Sequence, residues 1–418
     1  MIRATGLADA LGVSSARLPA LVGLPAPAGA RGKLAGACRD GVVMAKREAR
    51  TRATRFSLPS RAGILPVQAI RALIAAGHVR CIEPLLPDQL QPASLDLRLG
   101  AKAVRVRASF LPGPSRPVAE RLGDLHLHTI ELGNGAVLET GCVYLVALLE
   151  SMALPKELAA IANPKSSTGR LDVFTRIIAD GVNAFDGIAA GYQGPLYAEI
   201  CPQTFPIVVR KGSRLNQIRF RSGAPRDDDL DLLELQRRER LIACDHADIA
   251  RGIALSVDLV GDKDGLVGYR AKRHTGLVDV DARAACRVAD YWEPIRRSDD
   301  GRLILDPDQF YILASKEAVH VPPTHAAEMV PFNPLVGEFR VHYAGFFDPG
   351  FGHAAAGGAG AKAVLEVRSH KVPFILEHGQ IVGRLLYERM CEVPEVLYGS
   401  DLKSNYQGQG LKLSKHFR

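Results

Sequence analysis

The segment NPKSSTGRLDVF at positions 163–174 gathers side chains suited to binding phosphate. Lys165, Ser166, Ser167 and Arg170 lie within six residues of one another. Hydroxyl groups, backbone N–H groups and the rigid fork of a guanidinium are the donors that phosphate oxygens accept from. The segment therefore predicts a phosphate-binding turn, although the same composition also fits an ordinary polar turn at the surface.

Two glutamates interrupt apolar runs that are typical of strands. Glu199 lies in LYAEIC and Glu366 in AVLEV. A carboxylate in such a place is costly unless it is paired or used. Partial burial raises its pKa towards the range in which it can accept and return a proton near neutrality. Both glutamates are therefore catalytic candidates. Each also fits a glutamate on the solvent face of an edge strand, or one paired with an arginine.

The segment HYAGFFDPGFG at positions 342–352 contains a strong turn signal, Asp348-Pro349-Gly350, between aromatic residues. Such a turn can present backbone groups of residues 344–348 to a ring that lies against Phe351. By itself the pattern equally fits a simple hairpin turn.

The C-terminal segment KSNYQGQG carries polar side chains spaced by glycine, and these are Lys403, Tyr406, Gln407 and Gln409. A tail of this kind can fold over a ligand and exclude water. The alternative is a frayed C-terminus.

An internal repeat places these segments in two copies of one fold. Three pairs of residues share an offset of 167 positions, and these are Glu199 with Glu366, Tyr144 with Tyr311, and Pro155 with Pro322. The same order of apolar runs, a proline and a glycine surrounds each glutamate. A shared offset in separate patches predicts a tandem duplication.

Many short apolar runs separated by Gly and Pro predict a mainly β protein, with two tandem β-barrel or sandwich domains and a few short helices. Helices are expected over 66–77 and 155–162, and a Pro-containing loop over 111–122. The predicted organisation is a disordered or mis-annotated extension (1–62), a first domain (63–224), a helical linker (225–251), a second domain (252–393) and a lid or tail (394–418).

The net charge of +8 is concentrated in one segment. Residues 1–62 hold eleven Lys/Arg and three Asp/Glu, so the rest of the chain is balanced. The folded part therefore gives no general electrostatic case for a nucleic-acid partner. No apolar run approaches the ~20 residues that span a bilayer, so no membrane partner is expected. Seven scattered cysteines without a C-x-x-C pair favour reduced thiols in a cytoplasmic protein.

Taken in order, these motifs resemble the dCTP deaminase branch of the dUTPase-like superfamily. QPASLDLRLG is similar to an early DLRLG strand, and PKSSTGRLDV to the family's R-S-S-x-x-R-L segment, with Lys165 in place of arginine. Residues 348–351 resemble its I-D-P-G-W turn, although the family's His-Arg before that turn is missing. AVLEVRSHKVPFILEHGQIVGRLLYE follows its glutamate strand, and KSNYQGQG resembles its tail lid. The duplication resembles a tandem-domain bacterial form.

The resemblance implies dUTPase-like domains and a site between neighbouring subunits, where the phosphate segment of one meets the catalytic glutamate of the next. Copy one keeps the Ser/Arg segment, whereas copy two has Asn333, Pro334 and Gly337 at the corresponding offset. Copy two keeps the turn, Glu366 and the lid. We therefore expect one working site that joins the Ser/Arg segment of the first half to Glu366 of the second half. Glu199 is then a vestige or a second, weaker site.

The implied reaction is the hydrolytic deamination of dCTP to dUTP and ammonia, in the synthesis of dUMP and dTTP precursors. Glu366 is the implied general base, with Asp348 and Glu199 as further catalytic candidates. The implied triphosphate ligands are Lys165, Ser166, Ser167, Arg170 and Lys403. The implied base, sugar and lid contacts are Ala344, Phe351, Tyr406, Gln407 and Gln409. Mg²⁺ is expected to arrive on the triphosphate, with no ligand from protein side chains. The H-x-E and P-C-x-x-C ligands of zinc deaminases are missing from the sequence.

The expected partners are therefore dCTP as substrate, dTTP as a candidate feedback ligand, and further copies of the chain. The resemblance implies sites between the subunits of a trimer, and two domains cannot close a three-domain ring alone. A homo-oligomer is therefore expected, and the alternative is a pseudo-symmetric contact that replaces the ring. Two alternatives stay open. One is a dUTP diphosphatase or a bifunctional deaminase–diphosphatase, in which Asp348 holds the attacking water. The other is a non-catalytic nucleotide sensor.

Overall fold

The computed structural model describes residues 56–243, 247–331, 339–342, 345–369, 371–399 and 410–418. The protein is mainly β and consists of two halves, as predicted. Most of the predicted extension at 1–62 lies outside the described residues. None of the helices described here is long and apolar enough to cross a membrane.

Short helices connect the strands in both halves. They are α1 (Val67–Ala75), α2 (Val118–Leu125), α3 (Ser166–Gly169), α4 (Asp229–Glu239) and α5 (Val288–Tyr291), with a 3-10 turn at Ala354–Ala356.

The strands of the first half are β1 (Gly63–Ile64), β2 (Val79–Cys81), β3 (Leu90–Gln91), β4 (Ser94–Leu97), β5 (Leu99–Val106), β6 (His126–Glu131), β7 (Ala136–Leu138), β8 (Val143–Ala153), β9 (Leu158–Pro164), β10 (Val173–Ala179), β11 (Gly187–Ile188), β12 (Gln193–Pro202), β13 (Ile207–Val209) and β14 (Asn216–Ser222). The strands of the second half are β15 (Ile253–Ser256), β16 (Leu266–Ala271), β17 (Val278–Asp279), β18 (Trp292–Arg296), β19 (Arg302–Leu305), β20 (Phe310–Val319), β21 (His325–Pro331), β22 (Phe339–His342), β23 (Phe346–Phe347), β24 (Ala361–Ser369), β25 (Phe374–Glu377) and β26 (Ile381–Arg389).

The sheet topology confirms the internal repeat. In the first half the sheets run β11-β9-β14-β4-β3 and β10-β12-β8-β5-β6. In the second half they run β15-β26-β21-β23 and β18-β16-β20-β24-β22. The order β9-β14-β4 recurs as β21-β26-β15, and β10-β12-β8-β5-β6 recurs as β22-β24-β20-β16-β18. The ladders within these sheets are antiparallel, which suits runs that alternate between a buried and a more polar face.

The two halves share a core and a small mixed sheet. Strand β13 pairs antiparallel with β7 and parallel with β17 of the second half, with Ile207 opposite Val278. Beside it, Phe205 packs edge-on against Trp292, with ring centroids 5.3 Å apart. Leu413 near the C-terminus belongs to the same buried cluster. Because this apolar contact joins the two halves across the boundary between them, here called the seam, side chains from the two halves are held in fixed relation to each other.

The helix predicted over 155–162 is wrong, because this segment forms β9. Alanine favours helices, yet Leu158, Ala160, Ala162 and Pro164 are buried in strict alternation with partly exposed neighbours. The strand pairs with β14 from Leu158 opposite Ser222 to Pro164 opposite Asn216. Tertiary pairing therefore overrides local propensity here.

Two other local predictions need adjustment. The loop predicted over 111–122 ends early, since α2 begins at Val118, whose backbone N–H donates to Asp180 at 2.7 Å. Within the predicted linker at 225–251, α4 is the helical part. Its first turn is capped by Asp228, which accepts from the N–H groups of Leu230 and Asp231.

Candidate active site

A cavity of about 800 Å³ opens at the seam between the halves. The first half contributes Asp96, Lys165, Ser166, Ser167, Arg170 and Arg214 to its lining. The second half contributes Arg283, Asp348, Phe351, Glu366 and Lys415. The predicted phosphate segment and the predicted catalytic glutamate therefore line one cavity within a single chain.

The phosphate segment follows β9 and forms the one-turn helix α3. The carbonyl of Lys165 accepts hydrogen bonds from the N–H groups of Thr168 and Gly169 at 2.8 and 3.0 Å. The Lys165 ammonium contacts Asp96, a carboxylate that also lies 3.5 Å from Arg214. Asp96 is almost fully buried and thereby anchors two cations at the cavity wall.

The C-terminal residues 410–418 support the same turn from the far end of the chain. The Ser414 hydroxyl donates to the carbonyl of Ser167 at 2.8 Å, and Arg170 Nη1 donates to the carbonyl of Lys412 at 3.0 Å. His416 lies 2.9 Å from the carbonyl of Val280, and burial lowers the pKa of its imidazole to about 4. These contacts fix the phosphate segment against the second half.

Glu366 lies on an interior strand of its sheet and lines the cavity. Strand β24 is hydrogen-bonded on both sides, with Ile312 of β20 and His342 of β22 opposite Glu366. The residue is 4% exposed, and burial raises its pKa to about 8. The guanidinium of Arg170, with Nε 3.8 Å from Glu366 Oε1, offsets part of this effect. A carboxyl group with such a pKa can both accept and donate a proton near neutrality.

The Asp-Pro-Gly turn adds a second buried carboxylate. Asp348 directly follows β23, and its Oδ1 lies 3.2 Å from Arg219 Nη2. Burial raises the pKa of Asp348, and the Arg219 cation opposes that rise. Gly350 has a φ of +97°, and an added Cβ would lie 3.0 Å from the Tyr398 nitrogen, so the turn requires glycine. Phe351 packs edge-on against Phe347 at 5.1 Å and presents an apolar surface at the cavity.

Glu199 is not brought to the cavity. Its Oε1 accepts from Arg176 Nη2 at 2.6 Å and from the Ser109 hydroxyl at 3.1 Å. The guanidinium carbon of Arg176 also lies 3.4 Å from the ring centroid of Phe185. Glu199 is thus paired with an arginine in its own half, one of the alternatives left open from the sequence. The predicted contacts Ala344, Lys403, Tyr406, Gln407 and Gln409 lie outside the described residues.

Sequence reasoning missed six cationic residues that line the cavity together with Lys165 and Arg170, and these are Arg98, Arg210, Lys211, Arg214, Arg283 and Lys415. Burial lowers the pKa of Lys415, and so do the neighbouring charges of Lys165, Arg283 and Arg214. Lys165 and Arg214 belong to the first half, whereas Arg283 and Lys415 belong to the second. The cluster is suited to a polyanion. It had no sequence signature, because its members are distant along the chain.

Comparisons with known proteins match both halves of the chain. Residues 61–224 match the family model of the N-terminal domain of 2'-deoxycytidine 5'-triphosphate deaminase, and residues 228–417 match that of its C-terminal domain. A dCTP deaminase of Haloarcula marismortui is 33% identical over 144 residues, which is 33% of this chain and 70% of that protein. A dUMP-forming dCTP deaminase of Acidothermus cellulolyticus is 31% identical over 164 residues, or 39% of this chain and 82% of that protein.

A solved structure shares both sequence and fold over most of the chain. The crystal structure of 2'-deoxycytidine 5'-triphosphate deaminase from Agrobacterium tumefaciens is 62% identical, with a TM-score of 0.76. The match covers 79% of this chain and 99% of that one. Together with the two domain matches, this shows that the chain belongs to the dCTP deaminase family.

Proposed function

We propose that this dCTP deaminase hydrolyses dCTP to dUTP and ammonia in the cavity at the seam. The observation that carries the proposal is the contact of Arg170 with Glu366, 3.8 Å apart across the two halves. It joins a phosphate-binding turn to a buried carboxyl group of raised pKa, the two parts that this reaction needs.

The proposed chemical step uses Glu366 as a proton carrier. Water attacks C4 of the cytosine while the carboxylate takes one of its protons and delivers it to N3. The carboxylate then takes the proton of the new C4 hydroxyl group and delivers it to the exocyclic amine, which leaves as ammonia. The C4–N bond breaks, a C4=O bond remains, and one water is consumed for each dUTP formed. With its pKa near 8, Glu366 can be reprotonated and deprotonated in each turnover.

The triphosphate is proposed to bind the cationic side of the cavity. Lys165, Ser166, Ser167 and Arg170 supply donors from the first half, as expected from the sequence. We add Arg283 and Lys415 from the second half, because both line the same wall. Such ligands are charge-assisted, and each strong contact contributes roughly 1.5–3 kcal/mol.

The substrate is proposed to arrive as its Mg²⁺ complex, with the metal on phosphate oxygens. Within the described ranges, no group of three or more His, Cys, Asp or Glu side chains is arranged to hold a metal ion. The cations at the cavity wall would bind the phosphate oxygens that the metal leaves unoccupied.

The base is proposed to lie against Phe351 and the cavity wall formed by residues 346–348, within reach of Glu366. Asp348 would act as a hydrogen-bond acceptor at this wall. In the diphosphatase alternative it would instead hold a water in line with the α-phosphate. The names of the similar proteins are divided on this point, since some include dUMP formation and others do not.

The test is a product analysis with purified protein and dCTP. Ammonia with dUTP supports the proposal, and ammonia with dUMP and pyrophosphate supports the bifunctional alternative. Pyrophosphate from dUTP without ammonia from dCTP would leave only a diphosphatase. Triphosphate binding without turnover would indicate the nucleotide sensor.

Two further proposals concern partners. We propose that the chain forms a homo-oligomer and that dTTP inhibits it by competing for the same cavity, since the two nucleotides share a triphosphate. Sedimentation velocity tests the first, and inhibition of ammonia release by dTTP tests the second. A single 45.0 kDa species would contradict the oligomer.

A further inference from the structure

Arg219 is a fully buried arginine on β14, with 0% of its surface exposed. The position 167 residues later, in the second half, is occupied by Leu386. A buried arginine is rare unless its charge and donors are matched by partners. The two halves therefore differ here in a way that the repeat itself does not require.

The partners of Arg219 all belong to the second half. Nη1 donates to the carbonyl of Ala327 at 3.2 Å, and Nη2 lies within 3.4 Å of the Phe347 carbonyl and 3.2 Å of Asp348 Oδ1. The guanidinium carbon lies 4.0 Å from the ring centroid of Phe346. The carboxylate of Glu388 is 3.9 Å from Nη1. A planar fork with several fixed donors matches this set, which a lysine ammonium cannot reproduce.

Three of these contacts fall on residues 346–348, which line the cavity. This short segment is held to its own half by the narrow pairing of β23 with β21, at Ala327 opposite Phe347 and Glu328 opposite Phe346. Arg219 crosses from the other half and binds both strands of that pair. Its cation also compensates the buried Asp348 carboxylate.

We propose that Arg219 is a positioning residue for the reaction, which fixes the 346–348 wall of the cavity from the opposite half of the chain. The role of that wall towards the cytosine rests on the proposed function. The same side chain then joins the two halves and holds the base-binding wall in position. Arg219 does not touch the substrate, so its effect is on the orientation of the base and not on its phosphate contacts.

The test compares R219K and R219L with R221L as the matched control. Arg221 lies on the same strand and near the same Glu388, at 3.8 Å, and makes no contact with 346–348. We expect kcat for ammonia release to fall about 100-fold in R219L, because a misplacement of about 1 Å costs that much. The KM for dCTP should change little, since the phosphate-binding residues remain. The kcat of R219K should lie between those of R219L and the wild type, and the kcat of R221L should equal that of the wild type.

Hydrogen–deuterium exchange provides a readout that does not depend on turnover. Peptides that cover 345–351 should exchange faster in R219K than in wild type, and those in R221L should not. R219K keeps a cation beside Asp348, so it decides the question even where R219L fails to fold. Wild-type kcat and wild-type exchange in R219K would overturn the proposal, and so would an equal loss of kcat in R221L. Absence of ammonia release by wild type counts against the proposed function alone, and the exchange data then decide the role of Arg219.

Discussion

Replacement of Glu366 by glutamine should stabilise the protein, and increasingly so as the pH rises. Burial raises the pKa of Glu366 from 4.5 to about 8. The folded state therefore binds a proton that the unfolded chain releases between these two pH values. For a group whose pKa is raised by folding, the favourable contribution is complete below pH 4.5 and is lost as the pH rises through 8. Glutamine cannot ionise, so E366Q escapes this loss.

The magnitude follows from the size of the pKa shift. Each pKa unit corresponds to about 1.4 kcal/mol, so full ionisation of Glu366 costs the wild type at most about 5 kcal/mol. With this largest cost, the difference in the free energy of unfolding between E366Q and the wild type should grow by about 4 kcal/mol from pH 5 to pH 9.

The assay is urea unfolding of wild type and E366Q at pH 5, 7 and 9, compared through the midpoints and slopes. Ammonia release from dCTP should fall by about 10²–10⁴-fold in E366Q, because the proposed proton carrier is lost. In wild type, kcat/KM should rise with pH up to about 8 as the carboxyl group ionises. A stability difference that is the same at all three pH values, or that shrinks as the pH rises, would refute the reasoning about burial.

Three further variants test the division of labour between the halves. Glu199→Gln should keep near-wild-type ammonia release, because Glu199 does not line the cavity and pairs with Arg176 at a distance of 2.6 Å. A loss of ammonia release as large as that of E366Q would contradict a single site. Lys415→Gln should raise the KM for dCTP about tenfold with kcat nearly unchanged, as expected for one lost cation–phosphate contact of about 1.4 kcal/mol; a fall in kcat at constant KM would argue against a phosphate role. Ser414→Ala removes the 2.8 Å hydrogen bond to the Ser167 carbonyl and should raise KM about fivefold, since such a bond is worth about 1 kcal/mol. An unchanged KM in Ser414→Ala would show that the C-terminal segment does not position the phosphate turn.

Much of the fold was predictable because strand patterns are local. Short apolar runs separated by Gly and Pro predicted a mainly β protein, and the shared offset of Glu199 and Glu366 predicted the duplication. The error at β9 arose where a short alanine-rich run has a helical composition but is captured by two neighbouring strands. Propensity alone cannot decide such a run, because its conformation depends on partners far away in the chain.

The site was predictable in part for the same reason. The Ser/Arg turn, the Asp-Pro-Gly turn and the strand glutamate are short motifs, and the residue types at 333–337 already indicated that the halves differ. Glu199 and Glu366, however, lie in nearly the same local sequence. They differ in partner and position, since Glu199 pairs with Arg176 of its own half at 2.6 Å, whereas Glu366 lines the cavity 3.8 Å from Arg170 of the other half.

The sequence by itself determined that the chain is a duplicated β protein, and it supplied the short motifs that are the candidates for chemistry. Only the tertiary structure decided which carboxylate faces the cavity, that Arg283 and Lys415 join Lys165 there, and that Arg219 connects one half to the 346–348 wall of the other. Periodicity is encoded between residues that are near neighbours in the chain. Burial and charge at a seam depend on side chains that are hundreds of positions apart and meet only after folding.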